Sequence, residues 1–387
     1  MKTNARKSLV VLLMAAAVIL IGAVTFSPLV QVVPGPTLPP EVQPKSSNNN
    51  LDLIRFDHRL FLAFRTGPFH FASPYTVMYI VSSTDEGKTW ELENKISVGA
   101  DMREPRFLDL NGRLLFYFFE AGKNPFSFTP RHVWAMERFS KGSWSEKQVV
   151  YEPACVLWRA KVRNGKAYVS MYCGADKEYV GGNDAIGIRF LTTTDGYHFE
   201  PVTPGKPVVS TGGSEMDFEF DPNGNLFSVI RNEAGDGKSW QSKVCTAPAN
   251  DLGSWTCKAS DYKFDSPLAF THKDDIYVIA RLNPDGPYDK QDRWMPNSME
   301  SLYYLARYWW TPKRTVMYQI DKSTLAAKVV LEFPSRGDTA FPGIVPLGPD
   351  QFLMYNYSSD PNGPDRVWMS GQLHDTNIYS TVITFSE

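Results

Sequence analysis

Net charge is almost missing from this 387-residue sequence: 40 Lys and Arg stand against 42 Asp and Glu, leaving −2. So balanced a chain has no basic field for gripping a phosphate backbone, which excludes nucleic acid as an expected partner. An anionic ligand would have to be met by a local cluster of arginines. Histidine is scarce as well. His58, His70, His132, His198, His272 and His374 are scattered without ligand spacing, so no metal site is expected, and nothing calls for a cofactor. There are only four cysteines, Cys155, Cys173, Cys245 and Cys257, without the Cys-x-x-Cys spacing of a zinc site. None lies near the N-terminus, which argues against lipidation there. Amphipathic helical patterning is lacking beyond the N-terminal run. What remains is 43% hydrophobic and 13% aromatic, enough for a large all-β core and far from a disordered composition.

The N-terminus differs from the rest. Lys2, Arg6 and Lys7 precede an uncharged run from Ser8 to Val33, the order of an export signal. About 20 apolar residues also span a bilayer, so residues 1–33 are expected to be a cleaved signal or an anchor, with membrane attachment through residues 8–26 in the second case. Either way the body is expected outside the cytoplasm, whether secreted, periplasmic or anchored. Residues 34–50, rich in Pro, Ser and Asn, suggest an extended linker, leaving 51–387 as the folded body. Export permits disulfides. Of the three possible pairings, Cys155 with Cys173 and Cys245 with Cys257 fits best, because each pair straddles an expected strand pair.

One unit recurs through the body: an apolar strand, a tight polar turn and a second apolar or aromatic strand. Turn and second strand read DHRLFLAFR at 57–65, NGRLLFYFF at 111–119, NGKAYVSMY at 164–172, NGNLFSVIR at 223–231, KDDIYVIAR at 273–281 and PDQFLMYNY at 349–357. Asn-Gly is the strongest short hairpin signal. A spacing of roughly 50 to 75 residues leaves room for four strands per unit, the period of a propeller. Six units predict a six-bladed β-propeller. Outer strands are expected at 76–82, 134–139, 186–192, 242–247, 315–320 and 367–373. The aromatic segment 287–312 is too long for a hairpin loop, and its Trp294, Trp309 and Trp310 would suit stacking on a sugar.

Ser83-Thr84-Asp85-Glu86-Gly87-Lys88-Thr89-Trp90 fits the S-x-D-x-G-x-T-W Asp-box at every fixed position, and 193–199 is a degenerate copy. On these residues the chain resembles the sialidase superfamily of Asp-box propellers. The resemblance implies a six-bladed fold, with the boxes on the face away from the active site. It also implies a carbohydrate ligand with a terminal acidic sugar.

The last position of each repeat reads Arg65, Phe119, Tyr172, Arg231, Arg281 and Tyr357. Equivalent positions on successive blades form a ring on one face, and arginine is seldom buried without an anion. Arg65, Arg231 and Arg281 are therefore candidate carboxylate binders; the alternative is that each meets a structural carboxylate. Glu215, sixteen residues before Arg231, is similar to the sialidase glutamate that activates a tyrosine. Tyr357, in the Tyr-Ser context of the family nucleophile, is the candidate nucleophile, with Tyr172, Tyr303 and Tyr304 as competitors. Two features depart from the family. The Arg-Ile-Pro motif is missing at the first blade, and the loop 66–76 holds no carboxylate. His70 is the loop's only titratable group and the candidate general acid. Arg103, Asp217 and Arg159 are further candidate binding residues, and Glu104, Arg106, Trp158 and Asp338 also fall where strands begin near the axis. Arg103 and Glu215 each stand eight residues before a turn Asn, which predicts equivalent sites. The expected activity is exo-acting hydrolysis of an acidic glycoside. A propeller glycosidase of different sugar specificity and a non-catalytic glycan-binding propeller are the alternatives.

Overall fold

The computed structural model describes residues 24–177, 186–232, 235, 239–288 and 296–386. Six antiparallel sheets stand around one axis. Blade 1 runs Ser47–Phe56, Arg59–Gly67, Val77–Ser83 and Glu91–Ile96. Blade 2 is built on Asp101–Leu110, Arg113–Gly122 and Val133–Ser140, and blade 3 on Cys155–Arg163, Lys166–Cys173 and Gly187–Thr193; both have outer strands broken into two pieces. Blade 4 uses Ser214–Phe220, Leu226–Arg231, Lys243–Ala247 and Thr256–Ala259. Blade 5 uses Phe264–His272, Asp275–Leu282, Arg314–Ile320 and Ala327–Phe333. Blade 6 joins Arg336–Thr339, Gly343–Gly348, Gln351–Ser359 and Asn377–Phe385. First strands of neighbouring blades touch one another and line the axis.

The fourth strand of blade 6 comes from the other end of the chain. Val24–Phe26 and Val30–Val33 pair with Asn377–Phe385, with Val24 opposite Phe385 and Val30 opposite Ser380. This closes the ring and covers an edge that would otherwise template aggregation. The folded body therefore begins at least 27 residues before the expected boundary at 51, since Val24–Phe26 and Val30–Val33 are strands and Ser47–Asn50 opens blade 1. Residues 24–33 read as part of the export segment in the sequence because an apolar strand end and an apolar leader look alike without a partner in view. Residues 1–23, which hold most of the run 8–26, lie outside the described residues. Among the described residues no helix is long and apolar enough to cross a bilayer.

Local chemistry explains the turns. Asn111-Gly112 and Asn164-Gly165 both take positive φ, at 55° and 77° and at 50° and 74°. That is the two-residue geometry matching strand twist. In the turn 83–90, Asp85 accepts from Thr89 N at 2.9 Å and from Thr89 Oγ1 at 2.7 Å. Trp90 is buried edge-on to Tyr355 of blade 6, 6.0 Å between ring centroids. Gly87, at φ 82°, lies so close that a Cβ would sit 2.2 Å from the Tyr355 hydroxyl. The turn 193–199 docks on blade 2 in the same way, where Tyr117 donates to Gly196 O at 2.9 Å. Turn 83–90 stands at the Leu60 end of its sheet, away from Arg65. Both disulfides form as paired, Cys155 with Cys173 and Cys245 with Cys257, each between residues directly opposite on adjacent strands.

Two expectations fail. The aromatic segment of blade 5 contains a helix, α1 (Asn297–Trp309), whose Tyr304, Leu305 and Tyr308 are buried. Their i, i+1, i+4 spacing was the available signal. Residues 367–373, expected as a strand, form a short helix α2 (Trp368–Gly371), and the strand lies at Asn377–Phe385 instead.

Candidate functional site

The inner strands bulge at one level. Each of the first strands of blades 1 to 5 takes an extra residue relative to its partner: between Asn49 and Leu51, Arg103 and Arg106, Leu157 and Arg159, Ser214 and Met216, and Asp265 and Leu268. At this level Asn50, Glu104, Glu215, Ser266 and, in blade 6, Ala340 have φ of 41°, 50°, 39°, 50° and 70°. Non-glycine residues in this region cost of order 1–3 kcal/mol each, and such strain gathers at functional sites. Asn50, Glu104, Glu215 and Ser266 line one axial pocket of about 70 Å³.

The bulge corrects two alignments. Glu104, not Arg103, is the blade 2 counterpart of Glu215, since Arg103 pairs with Phe119 as Ser214 pairs with Arg231. Counting from the turn Asn fails because one turn spans 111–112 and the other 221–225. The arginine level is occupied in blade 3 by Met171 and in blade 6 by Ser358; Tyr172 and Tyr357 sit one residue to either side.

Six of the nine predicted site residues line this pocket together: His70, Arg103, Glu215, Arg231, Arg281 and Tyr357. Arg65 does not. It is fully buried behind the wall, its Nε 2.6 Å from Asp101 and its guanidinium donating to the carbonyls of Phe69, His70 and Phe71. It holds the 67–76 loop rather than a ligand. Asp217 and Arg159 lie below the pocket, 2.9 Å apart, with Lys161 2.9 Å from Asp217 and Asp52 3.4 Å from Arg159. Beside them Arg106 is sandwiched between Trp158 and Phe341, 4.8 and 4.5 Å from the ring centroids. This compensated charge cluster forms the floor. A wider cavity of about 550 Å³ opens on the opposite face between the hairpin ends, around Lys161, Glu219 and Asp221. The strained bulge residues do not line it.

The two glutamates are 8% and 6% exposed. Burial pushes Glu104 up to about 7, against the pull of Arg106 and with a further push from the nearby Glu215 charge. Among the described residues its one hydrogen bond is from Asn50 Nδ2, 3.3 Å away. Burial raises Glu215 as well, but Arg231 Nη1 donates to it at 2.8 Å and Ser266 N at 2.7 Å. Those donors favour its charged form.

The arginines are largely neutralised. Arg103 Nε lies 2.7 Å from Asp101, and Arg231 lies 2.8 Å from Glu215 and 3.3 Å from Asp265. Arg281 donates to the carbonyls of Thr339 and Ala340 and to the Tyr357 hydroxyl at 3.3 Å. Among the described residues, Arg65, Arg103, Arg231 and Arg281 face Asp101, Glu215, Asp265 and Asp338, so the ring has no surplus positive charge.

Tyr357 does not meet Glu215. Its hydroxyl donates to Asp338 at 2.9 Å, and burial together with the Asp338 charge holds its acidity well below the usual phenol. Asp338 also accepts from Trp368 Nε1 at 3.0 Å and pairs with His70 Nδ1. Asp338 and Glu104 were legible as strand-start residues, but their roles needed the burial. Trp368 and Gln372, which cap the pocket from α2, had no sequence signal because the segment read as strand. Trp310 is exposed and Trp309 half-buried, away from the lining; Trp294 lies outside the described residues.

No family model and no curated protein matches this chain. Solved structures match its fold. A protein of unknown function from Dyadobacter fermentans is 14% identical with a TM-score of 0.61, over 94% of this chain and 99% of that one. The phage phi92 endosialidase is 10% identical with a TM-score of 0.62, over 95% and 69%. A Penicillium chrysogenum α-L-arabinanase complexed with arabinobiose is 12% identical with a TM-score of 0.51, over 93% and 97%. At these identities the likeness is one of fold: a six-bladed propeller shared with glycoside hydrolases.

Proposed function

We propose that the axial pocket hydrolyses the glycosidic bond of a terminal sugar, with Glu104 as general acid and Glu215 as the second carboxylate. The observation that carries this is the pairing of a carboxyl held near 7 by burial with a neighbouring carboxylate held by Arg231 and a backbone amide. Two carboxylates flanking the bond, one able to give a proton and one charged, are what most glycoside hydrolysis requires. An acid titrating near the working pH is half protonated there, the optimum for proton transfer. The propeller glycosidases of similar fold support the reaction class. The turn 83–90 supports the Asp-box resemblance, and the basic-then-apolar N-terminus supports a location outside the cytoplasm.

Tyr357 is the weaker nucleophile. It is 0% exposed, and its hydroxyl is spent on Asp338 and Arg281. An attack would need it to leave both. Sugar preference follows from the charge balance: with the arginines facing as many carboxylates, only Arg281 has no carboxylate ion pair among the described residues. A neutral terminal sugar is therefore the proposed substrate, in place of the acidic one expected from the arginine ring.

Turnover of a panel of nitrophenyl glycosides tests this, including an α-L-arabinofuranoside, a uronide and a sialoside, with wild type and Glu215→Gln. Wild type should release a neutral sugar faster than any acidic one, and the variant should lose at least ~10³-fold. Preferred cleavage of the sialoside would restore the arginine reading. Affinity without release would make the protein a glycan-binding propeller.

A further inference from the structure

His70, Asp338 and Trp368 form a cluster that the two-glutamate chemistry does not use. His70 sits on the loop between Arg59–Gly67 and Val77–Ser83, and its main chain is fixed from three sides. Its N–H donates to Gln372 O at 3.0 Å, and its carbonyl accepts from Arg103 Nη2 at 2.6 Å and from Arg65 Nη2 at 3.4 Å. The ring stands edge-on to Tyr357 at 5.9 Å. Its Nδ1 meets Asp338 Oδ2, while the other oxygen of Asp338 accepts from Tyr357 and Trp368.

Asp338 is fully buried, which by itself would raise its carboxyl, but His70, Arg281 and Tyr357 together outweigh that burial and hold it below the usual range. A charged carboxylate can only accept, so Nδ1 must carry the proton. In a neutral imidazole this leaves Nε2 as an acceptor. Nε2 has no hydrogen-bond partner among the described residues, is not a buried unsatisfied atom, and belongs to a side chain lining the pocket. The charged and titratable groups around the ring are Asp338 from blade 6, Arg65 from blade 1, Arg103 from blade 2, and Tyr357. Burial, Arg103 and Arg65 outweigh Asp338 and lower the ring's pKa, so it is neutral at pH 7.

We propose that His70 is a specificity-determining residue whose Nε2 accepts a hydrogen bond from a ligand hydroxyl, and that Asp338 is the positioning residue that fixes its tautomer. This rests on the glycoside reading of the pocket, and it replaces the expected role of His70 as acid with that of a neutral acceptor. One carboxylate thereby couples the hydroxyl acceptor, the blade 6 tyrosine and the α2 tryptophan, joining the first and last blades at the mouth of the site.

Two substitutions separate the ring nitrogens. His70→Asn keeps a donor near Nδ1 for Asp338 and removes Nε2; His70→Gln places an acceptor near Nε2 and gives up the Nδ1 donor. With the nitrophenyl glycoside that wild type turns over best, His70→Asn should raise KM about 10- to 100-fold with kcat changed less than about threefold. His70→Gln should recover most of that loss. ¹⁵N NMR of the free protein should show His70 protonated at Nδ1 at pH 7, and Asp338→Asn should abolish that single tautomer. An unchanged KM in His70→Asn, or a proton on Nε2 in wild type, would overturn the proposal. If wild type turns over no glycoside, the proposed function fails together with the ligand half of this inference, and the NMR result alone decides the role of Asp338.

Discussion

Replacing Glu104 with glutamine should stabilise the fold at alkaline pH. Burial lifts this carboxyl from 4.5 to about 7 in the folded protein, against the opposing pull of Arg106 and Arg103. In the unfolded chain it titrates near 4.5, so the folded state prefers the neutral form. Stability tied to that neutral carboxyl is fully present below about 4.5 and is lost as pH rises through about 7. The displacement corresponds to roughly 3 kcal/mol between the two limits. With Glu104 only 8% exposed, solvent screens little of it. Glutamine keeps the shape and the contact with Asn50 but cannot ionise. Urea unfolding followed by tryptophan fluorescence should therefore find Glu104→Gln ahead of wild type by less than ~1 kcal/mol at pH 5 and by about 3 kcal/mol at pH 8.5. The same difference at both pH values would refute the idea that burial, and not local packing, sets the acid.

Three further outcomes follow from the packing. Asp101→Ala leaves the Arg65 guanidinium buried without its carboxylate, which should cost about 3–5 kcal/mol in urea unfolding; a loss below ~1 kcal/mol would mean the pair is not buried as described. Trp90→Ala removes the wedge between blades 1 and 6 and should cost about 3–5 kcal/mol, again by urea unfolding. Replacing Cys155 and Cys173 together by Ala opens a loop of 18 residues and should lower stability by about 3 kcal/mol, while peptide mapping of wild type should recover no crossed pairing.

The six blades were legible because hairpin turns announce themselves locally: Asn-Gly followed by an aromatic or branched run needs no distant partner to be recognised. The disulfides were legible for the same reason, each closing one strand pair. The pocket was legible in part. Arg231, Arg281 and Glu215 stand at repeat-equivalent levels that a count along the sequence can find. The bulge could not be seen, because an extra residue in one strand is defined only against its partner, and the unequal turns at 111–112 and 221–225 moved the blade 2 counterpart of Glu215 from Arg103 to Glu104. Arg65 shares the level of Arg231 but is turned onto Asp101, a difference of side-chain direction that the strand pattern does not encode. The strands at Val24–Val33 were hidden for a third reason: their partner lies some 350 residues away, at Asn377–Phe385.

The role of Glu104 as proton donor shows in the leaving-group dependence of Glu104→Gln. A general acid matters for a poor leaving group, which must be protonated as it departs, and matters little for a dinitrophenolate, which leaves unaided. Against the sugar that wild type releases, the variant should lose about 10²- to 10⁴-fold in kcat with an alkyl or sugar leaving group and less than ~10-fold with 2,4-dinitrophenol. Equal losses on both substrates would show that Glu104 serves the pocket in some way other than giving a proton, and the two-glutamate account would be wrong.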